Sequence, residues 1–134
     1  MNIRFWALLI LALATNFALA QTSPTGTWKT IDDETGEAKS HVEIYKKDGK
    51  LHGKITKLLR KPQDTVCEEC PGKKKNKPLV GMVIIDDLEP YKDYWRDGTI
   101  LDPESGKEYG CSIWFEDGQT GELKVRGKHW TGLY

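Results

Sequence analysis

The fold is decided by the stretch Tyr94-Trp95-Arg96-Asp97-Gly98-Thr99-Ile100-Leu101-Asp102-Pro103-Glu104-Ser105-Gly106-Lys107-Glu108-Tyr109-Gly110-Cys111-Ser112-Ile113-Trp114-Phe115. Two short strand-like runs flank one turn. In Asp102-Pro103-Glu104-Ser105-Gly106, proline sits where a φ of about −65° is wanted and glycine where the chain leaves a tight turn. After the turn, Tyr109, Cys111, Ile113 and Phe115 fall on one face, and Glu108, Gly110, Ser112, Trp114 and Glu116 on the other. A period of two marks a strand with one buried face. Gly98, just ahead of Ile100, predicts a bulge or bend.

Working outward, Asp117-Gly118-Gln119-Thr120-Gly121 turns the chain into another strand, with Leu123, Val125 and Gly127 facing in and Lys124, Arg126 and Lys128 facing out. Upstream, Leu79-Val80-Gly81-Met82-Val83-Ile84-Ile85 is a continuous apolar run, expected to be a strand covered on both faces and ended by Asp86. Lys47-Asp48-Gly49-Lys50 predicts a two-residue type I′ hairpin. Its register sets Val42 opposite Ile55 and Ile44 opposite Gly53 on one face. On the other face stand Glu43 opposite Lys54, an attractive pair, and Tyr45 opposite His52. Gly26-Thr27-Trp28 opens the first strand. No helical hydrophobic period of useful length exists, and short runs punctuated by Asp-Gly and Pro point to an all-β sandwich or barrel.

The first twenty residues read as a signal peptide. Arg4 precedes an apolar run over residues 5–14, and Ala18-Leu19-Ala20 is a small-x-small cleavage site. The apolar run is too short to span a membrane, so no transmembrane segment is expected after cleavage. Residues 21–134 are then one domain of 114 residues in an oxidising, periplasmic or extracellular, compartment. Without Arg4 there are 19 basic against 20 acidic residues. That balance leaves no electrostatic footprint for nucleic acid.

Residues 62–78 form a connection longer than an unstructured loop normally runs, carrying Cys67-Glu68-Glu69-Cys70 and Lys73-Lys74-Lys75. A zinc half-site needs two further ligands, and Cys111 points into the apolar face. A redox pair wants electropositive surroundings, which Glu68 and Glu69 oppose. A local disulfide between Cys67 and Cys70, with Cys111 a buried free thiol, suits the compartment best. His41 and His52 share the outer face of the hairpin, but the register holds them about 13 Å apart. One metal cannot bridge that gap, and both are expected to be solvated strand-face histidines, with His129 a partner only by chance. No metal site and no cofactor are predicted. The lysine run reads as a solvated loop.

Several segments together resemble a family of small exported bacterial proteins known only as a domain of unknown function with a lipocalin-like (calycin) barrel. They are Gly26-Thr27-Trp28-Lys29-Thr30-Ile31-Asp32-Asp33, Gly53-Lys54-Ile55, Cys67-x-x-Cys70, Gly98-Thr99-Ile100-Leu101-Asp102-Pro103, Gly106-Lys107-x-Tyr109 and Leu123-Lys124-Val125-Arg126-Gly127. The resemblance implies an antiparallel up-and-down barrel of eight strands in the cell envelope, with no settled activity. It gives Trp28 the role of packing across the closed end. The family pattern continues past the position of Tyr134 into a closing strand, so about seven of eight strands are expected here. An exposed edge beside the first strand invites self-association.

The expected function is non-catalytic binding of a small apolar or amphipathic ligand inside the barrel. Trp28 would floor the pocket, Ile44, Ile55, Tyr109 and Ile113 would line it, and Gly53 would leave room in the wall. Tyr109 would orient a polar head. The competing class is an envelope interaction protein with a filled barrel, using Tyr91, Tyr94, Trp95, Trp114 and Trp130 as contacts. An enzyme would need paired carboxylates from Asp32, Asp33, Asp102 and Glu104, but these have simpler roles in turns and loops.

Overall fold

The computed structural model describes residues 23–117 and 119–128. The leader-like segment, His129 and Trp130 lie outside the described residues. Seven strands stand in the sheet in chain order, all neighbours antiparallel: β1 (Gly26–Ile31), β2 (Ala38–Lys47), β3 (Lys50–Leu58), β4 (Val83–Tyr91), β5 (Tyr94–Asp102), β6 (Lys107–Phe115) and β7 (Leu123–Lys128). The sheet curls into a nearly closed up-and-down barrel. The curl shows in the rings of Trp28 on β1 and Phe115 on β6, which are not sheet neighbours yet meet at 5.8 Å. Among the described residues, β1 and β7 are each paired on one side only.

The hairpin of β2 and β3 forms as its residues dictate. Asp48 and Gly49 have φ of 52° and 77°, and the pairs run from Lys47–Lys50 to Val42–Ile55 in the expected register. A bulge then shifts the ladder by one, so His41 faces Lys57. The turn between β5 and β6 is likewise as read. Asp102 accepts the backbone N–H of Glu104 and the hydroxyl of Ser105, and Gly106 has a φ of 74°.

The apolar run ahead of Asp86 is a correction. Leu79 and Met82 are buried but belong to the connecting loop, and β4 begins only at Val83. Asp86 does not end the strand, which continues to Tyr91. It survives through a bulge in its pairing with β3, where Asp87 takes a φ of 55° and lets Leu88 return to the core. β4 then meets β5 across Lys92-Asp93, a tight turn with no glycine.

Gly98 bends β5 as expected, with a register shift between Trp95 and Gly98. Asp97, within that shift, takes a φ of 60°, and Gly98 is closely crowded: a Cβ there would stand 2.4 Å from the Asp86 carbonyl oxygen and 2.8 Å from Leu88. Only glycine lets β4 and Leu88 approach this closely. Leu51, Leu88 and Ile113 are fully buried, with Val42, Ile44, Ile85 and Cys111 packed around them.

The long connection has its own structure. Cys67 N–H donates to the Lys77 carbonyl (2.8 Å), Asn76 N–H to the Cys67 carbonyl (2.7 Å) and Leu79 N–H to the Thr65 carbonyl (3.0 Å). Gly72–Lys74 makes one 3-10 turn. Cys67 and Cys70 are joined, their Cα atoms 5.5 Å apart. Cys111 is free and buried, and its thiol is pushed up to about 12 by desolvation.

Candidate functional site

Strands of alternating direction place the ends of β1, β3, β5 and β7 and the starts of β2, β4 and β6 at one mouth. A solvent-open cavity of about 1260 Å³ lies there. Its inner wall is Ile55 from β3, Ile100 from β5, Tyr109 from β6 and Val125 from β7, with Leu58 and Leu79 above them. Pockets for small ligands typically measure about 300–1,000 Å³, so the space admits more than water. The exposed large apolar side chains gather here: Ile31 (52% exposed), Val66 and Val125 (46%) all line it, and Leu59 sits next to the lining Leu58. The lining is polar as well: the hydroxyls of Thr30 and Ser40 stand 2.7 Å apart in the wall, and Asp32, Lys39, Arg60, Glu68, Glu69 and Glu104 line the cavity too.

Of the expected pocket residues, the structure brings Ile55 and Tyr109 to the cavity. Ile44 (3% exposed) and Ile113 (0%) are instead part of the filled core. Trp28 is half-buried at the opposite end, its indole N–H donating to the Pro24 carbonyl at 2.8 Å and its ring against Phe115. Gly53 leaves no room. A Cβ on it would stand 3.0 Å from Ile44 Cδ1 and 3.1 Å from Ile85 Cβ, so those side chains already occupy the space. Nor is Tyr109 the one hydroxyl in the wall, since Thr30, Ser40 and Thr65 share it. The sequence reading missed Ile100, Val125 and the Thr30–Ser40 pair as lining. Their signal was present, because each stands on the inward register of its strand near the mouth.

Ion pairs tie the loops around the rim. Asp32 pairs with Lys39 and Arg60, both at 3.8 Å. Arg60 also reaches Glu37 (3.2 Å), and Lys39 reaches Glu104 (3.5 Å). The Asp32 carboxyl is held below its ordinary value, first by the backbone N–H of Glu34 against some desolvation, then by Thr35 N–H, Lys39 and Arg60. The disulfide loop seats on the turn between β5 and β6, where a Cβ on Gly106 would collide with the Glu69 carbonyl. Asp32, Asp102 and Glu104 thus serve the rim and its turns.

One other sequence reading changes. His52 is not solvated: it is 9% exposed, stacks on Tyr45 at 5.5 Å, and contacts Asp86 through Nδ1 at 2.5 Å. Desolvation, then Asp86 and Glu43, raises the Tyr45 hydroxyl. Of the candidate contact aromatics, all four described are half-buried, and Tyr91 meets Tyr94 edge-on at 5.3 Å. Tyr91 is covered by the Arg96 guanidinium (3.4 Å), Trp95 by Lys46 (5.4 Å) and Trp114 by Arg126 (5.4 Å).

These features define a small, nearly closed antiparallel barrel with one filled and one open end. The chain belongs to the family described as uncharacterized proteins conserved in bacteria (DUF2147), whose model matches residues 26–134. Among solved structures it is similar to protein HP1028 of the human pathogen Helicobacter pylori, which belongs to the lipocalin family. The TM-score is 0.68 at 18% identity, over 83% of this chain and 77% of that one. A search of curated proteins finds no match. No helix among the described residues is long and apolar enough to cross a membrane.

Proposed function

We propose that this protein is a non-catalytic barrel that takes up one small apolar or amphipathic molecule at its mouth. The observation that carries the reading is the cavity of about 1260 Å³ walled by Ile55, Ile100 and Val125. The apolar part of a ligand would displace water from these side chains, and the Thr30–Ser40 hydroxyls and Tyr109 would receive a polar group. The lipocalin-family likeness supports the fold of such a carrier, and the leader-like residues 1–20 support export to the periplasm or medium. The edges of β1 and β7, unpaired among the described residues, are where self-association would run.

The test is isothermal titration with fatty acids, lysolipids and isoprenoid alcohols, repeated on Val125→Trp. Val125 is half-exposed on the cavity wall, so the larger ring should fill the space without overpacking the core. Wild type should bind one molecule per chain, and Val125→Trp should lose binding with its melting temperature kept. Equal binding by both chains, or none by wild type, would remove the reading.

A further inference from the structure

Away from the mouth, one polar cluster has no part in ligand uptake. His52 on β3 and Asp86 and Asp87 on β4 bring their ligating atoms within 4.8 Å of one another. In a regular strand two consecutive aspartates would point to opposite faces. The bulge that gives Asp87 a φ of 55° turns both toward the same imidazole. The imidazole itself is held: nine-tenths buried, stacked on Tyr45, and contacted at Nδ1 by Asp86 Oδ1 and, at 3.5 Å, by the Asp87 N–H. Among the described residues, the hydrogen bonds of this buried ring run within the cluster.

We propose that His52, Asp86 and Asp87 form a binding site for one divalent transition-metal ion, with zinc the best chemical match. An imidazole nitrogen suits zinc and its neighbours in the first row, whereas magnesium and calcium prefer oxygen alone. Two carboxylates balance the ion's charge. Ligand bonds of about 2.0–2.2 Å are reached by rotating Asp86, whose side chain is half-exposed, and Asp87, which is exposed, around a fixed ring. Three protein ligands leave a coordination position for water. Because the ligands come from adjacent strands, the ion would clamp β3 to β4 and stabilise the folded chain.

The competing explanation is that the bulge serves only to return Leu88 to the core, with aspartate tolerated at positive φ. Asp87→Asn separates the two, since asparagine accepts the same backbone but loses the anionic ligand. Tag-free, chelator-stripped protein would be titrated with zinc, magnesium and calcium by calorimetry and thermal melting. Wild type should take up one zinc ion per chain with a raised melting temperature and respond little to the other two. Asp87→Asn should melt unchanged without metal and bind zinc about tenfold or more weakly. Asp86→Asn, which leaves the bulge residue untouched, should lose affinity as well. No stoichiometric zinc uptake by wild type, or wild-type affinity in both variants, would overturn the site.

Discussion

The closed half of the barrel and its mouth are made from the same seven strands, yet one is filled and the other open. Both halves alternate in-facing and out-facing residues, so alternation is not the cause. The difference lies in the size of what points inward and in what stands opposite. In the closed half, Leu51, Leu88, Ile113, Trp28 and Phe115 reach the interior, Gly53 yields space that Ile44 and Ile85 fill, and Gly98 yields space to Leu88. At the mouth, the small or polar Thr30, Ser40, Val125 and Gly127 face in beside Ile55, Ile100 and Tyr109, and an open cavity remains between them. A glycine in a barrel wall can therefore mean a filled interior as readily as an empty one.

The comparison is sharpened most by truncating one side chain in each half. Ile113→Ala leaves a hole in a fully buried site and should cost about 3–4 kcal/mol in urea unfolding. Val125→Ala, at 46% exposure on the open wall, should stay within about 0.5 kcal/mol. Equal losses would mean that the mouth is packed in solution.

Adding one methyl group gives the next largest contrast. Gly98→Ala drives a Cβ into a backbone carbonyl and Leu88, and should cost about 2–3 kcal/mol. Gly127→Ala meets Ile100 and Tyr109 at 3.3 Å, where the cavity lets the side chains give, and should cost under about 1 kcal/mol.

Replacing Cys67 and Cys70 together by serine releases the loop that roofs the mouth and should cost about 2 kcal/mol. Alkylation of the native chain should leave Cys111 unlabelled even at pH 9. Its thiol is buried and its pKa of about 12 keeps it protonated there. Rapid labelling of all three cysteines would contradict both assignments.

The smallest effect is at the rim. The Asp32 carboxyl is lowered from an ordinary 3.8. Its contribution is therefore fully present above that pH and lost as pH falls through the lower folded value. Asp32→Asn should flatten this acid-side loss slightly, and salt should weaken the rim pairs.

Sequence alone carried the hairpin register and the turn at Asp102, because both rest on local backbone chemistry. It carried the bend at Gly98 through the glycine itself, and the disulfide through the closeness of the two cysteines and the expected compartment. It failed where two strands had to be known together. Gly53 reads as vacancy until Ile85 from β4 is seen beside it, and Ile85 pairs with Gly53 only through the shifts in that ladder. The same shifts hid the meeting of His52 with Asp86 and Asp87. The register argument correctly parted His41 from His52, but it could not supply partners from a strand whose bulge left no glycine signal. The mouth stayed hidden for a related reason, since its shape depends on how the loop over residues 59–82 folds back.

The most direct test of the account is a methyl-resolved NMR titration of the chain with a bound fatty acid or isoprenoid alcohol. The methyl groups of Ile55, Ile100 and Val125 at the mouth should shift together and saturate at one ligand per chain. Those of Ile44, Leu51, Leu88 and Ile113 in the closed half should hold still. Shifts centred on the closed half, or no saturable shifts at the mouth with any ligand, would contradict the claim that one end of this barrel is filled and the other built to receive a guest.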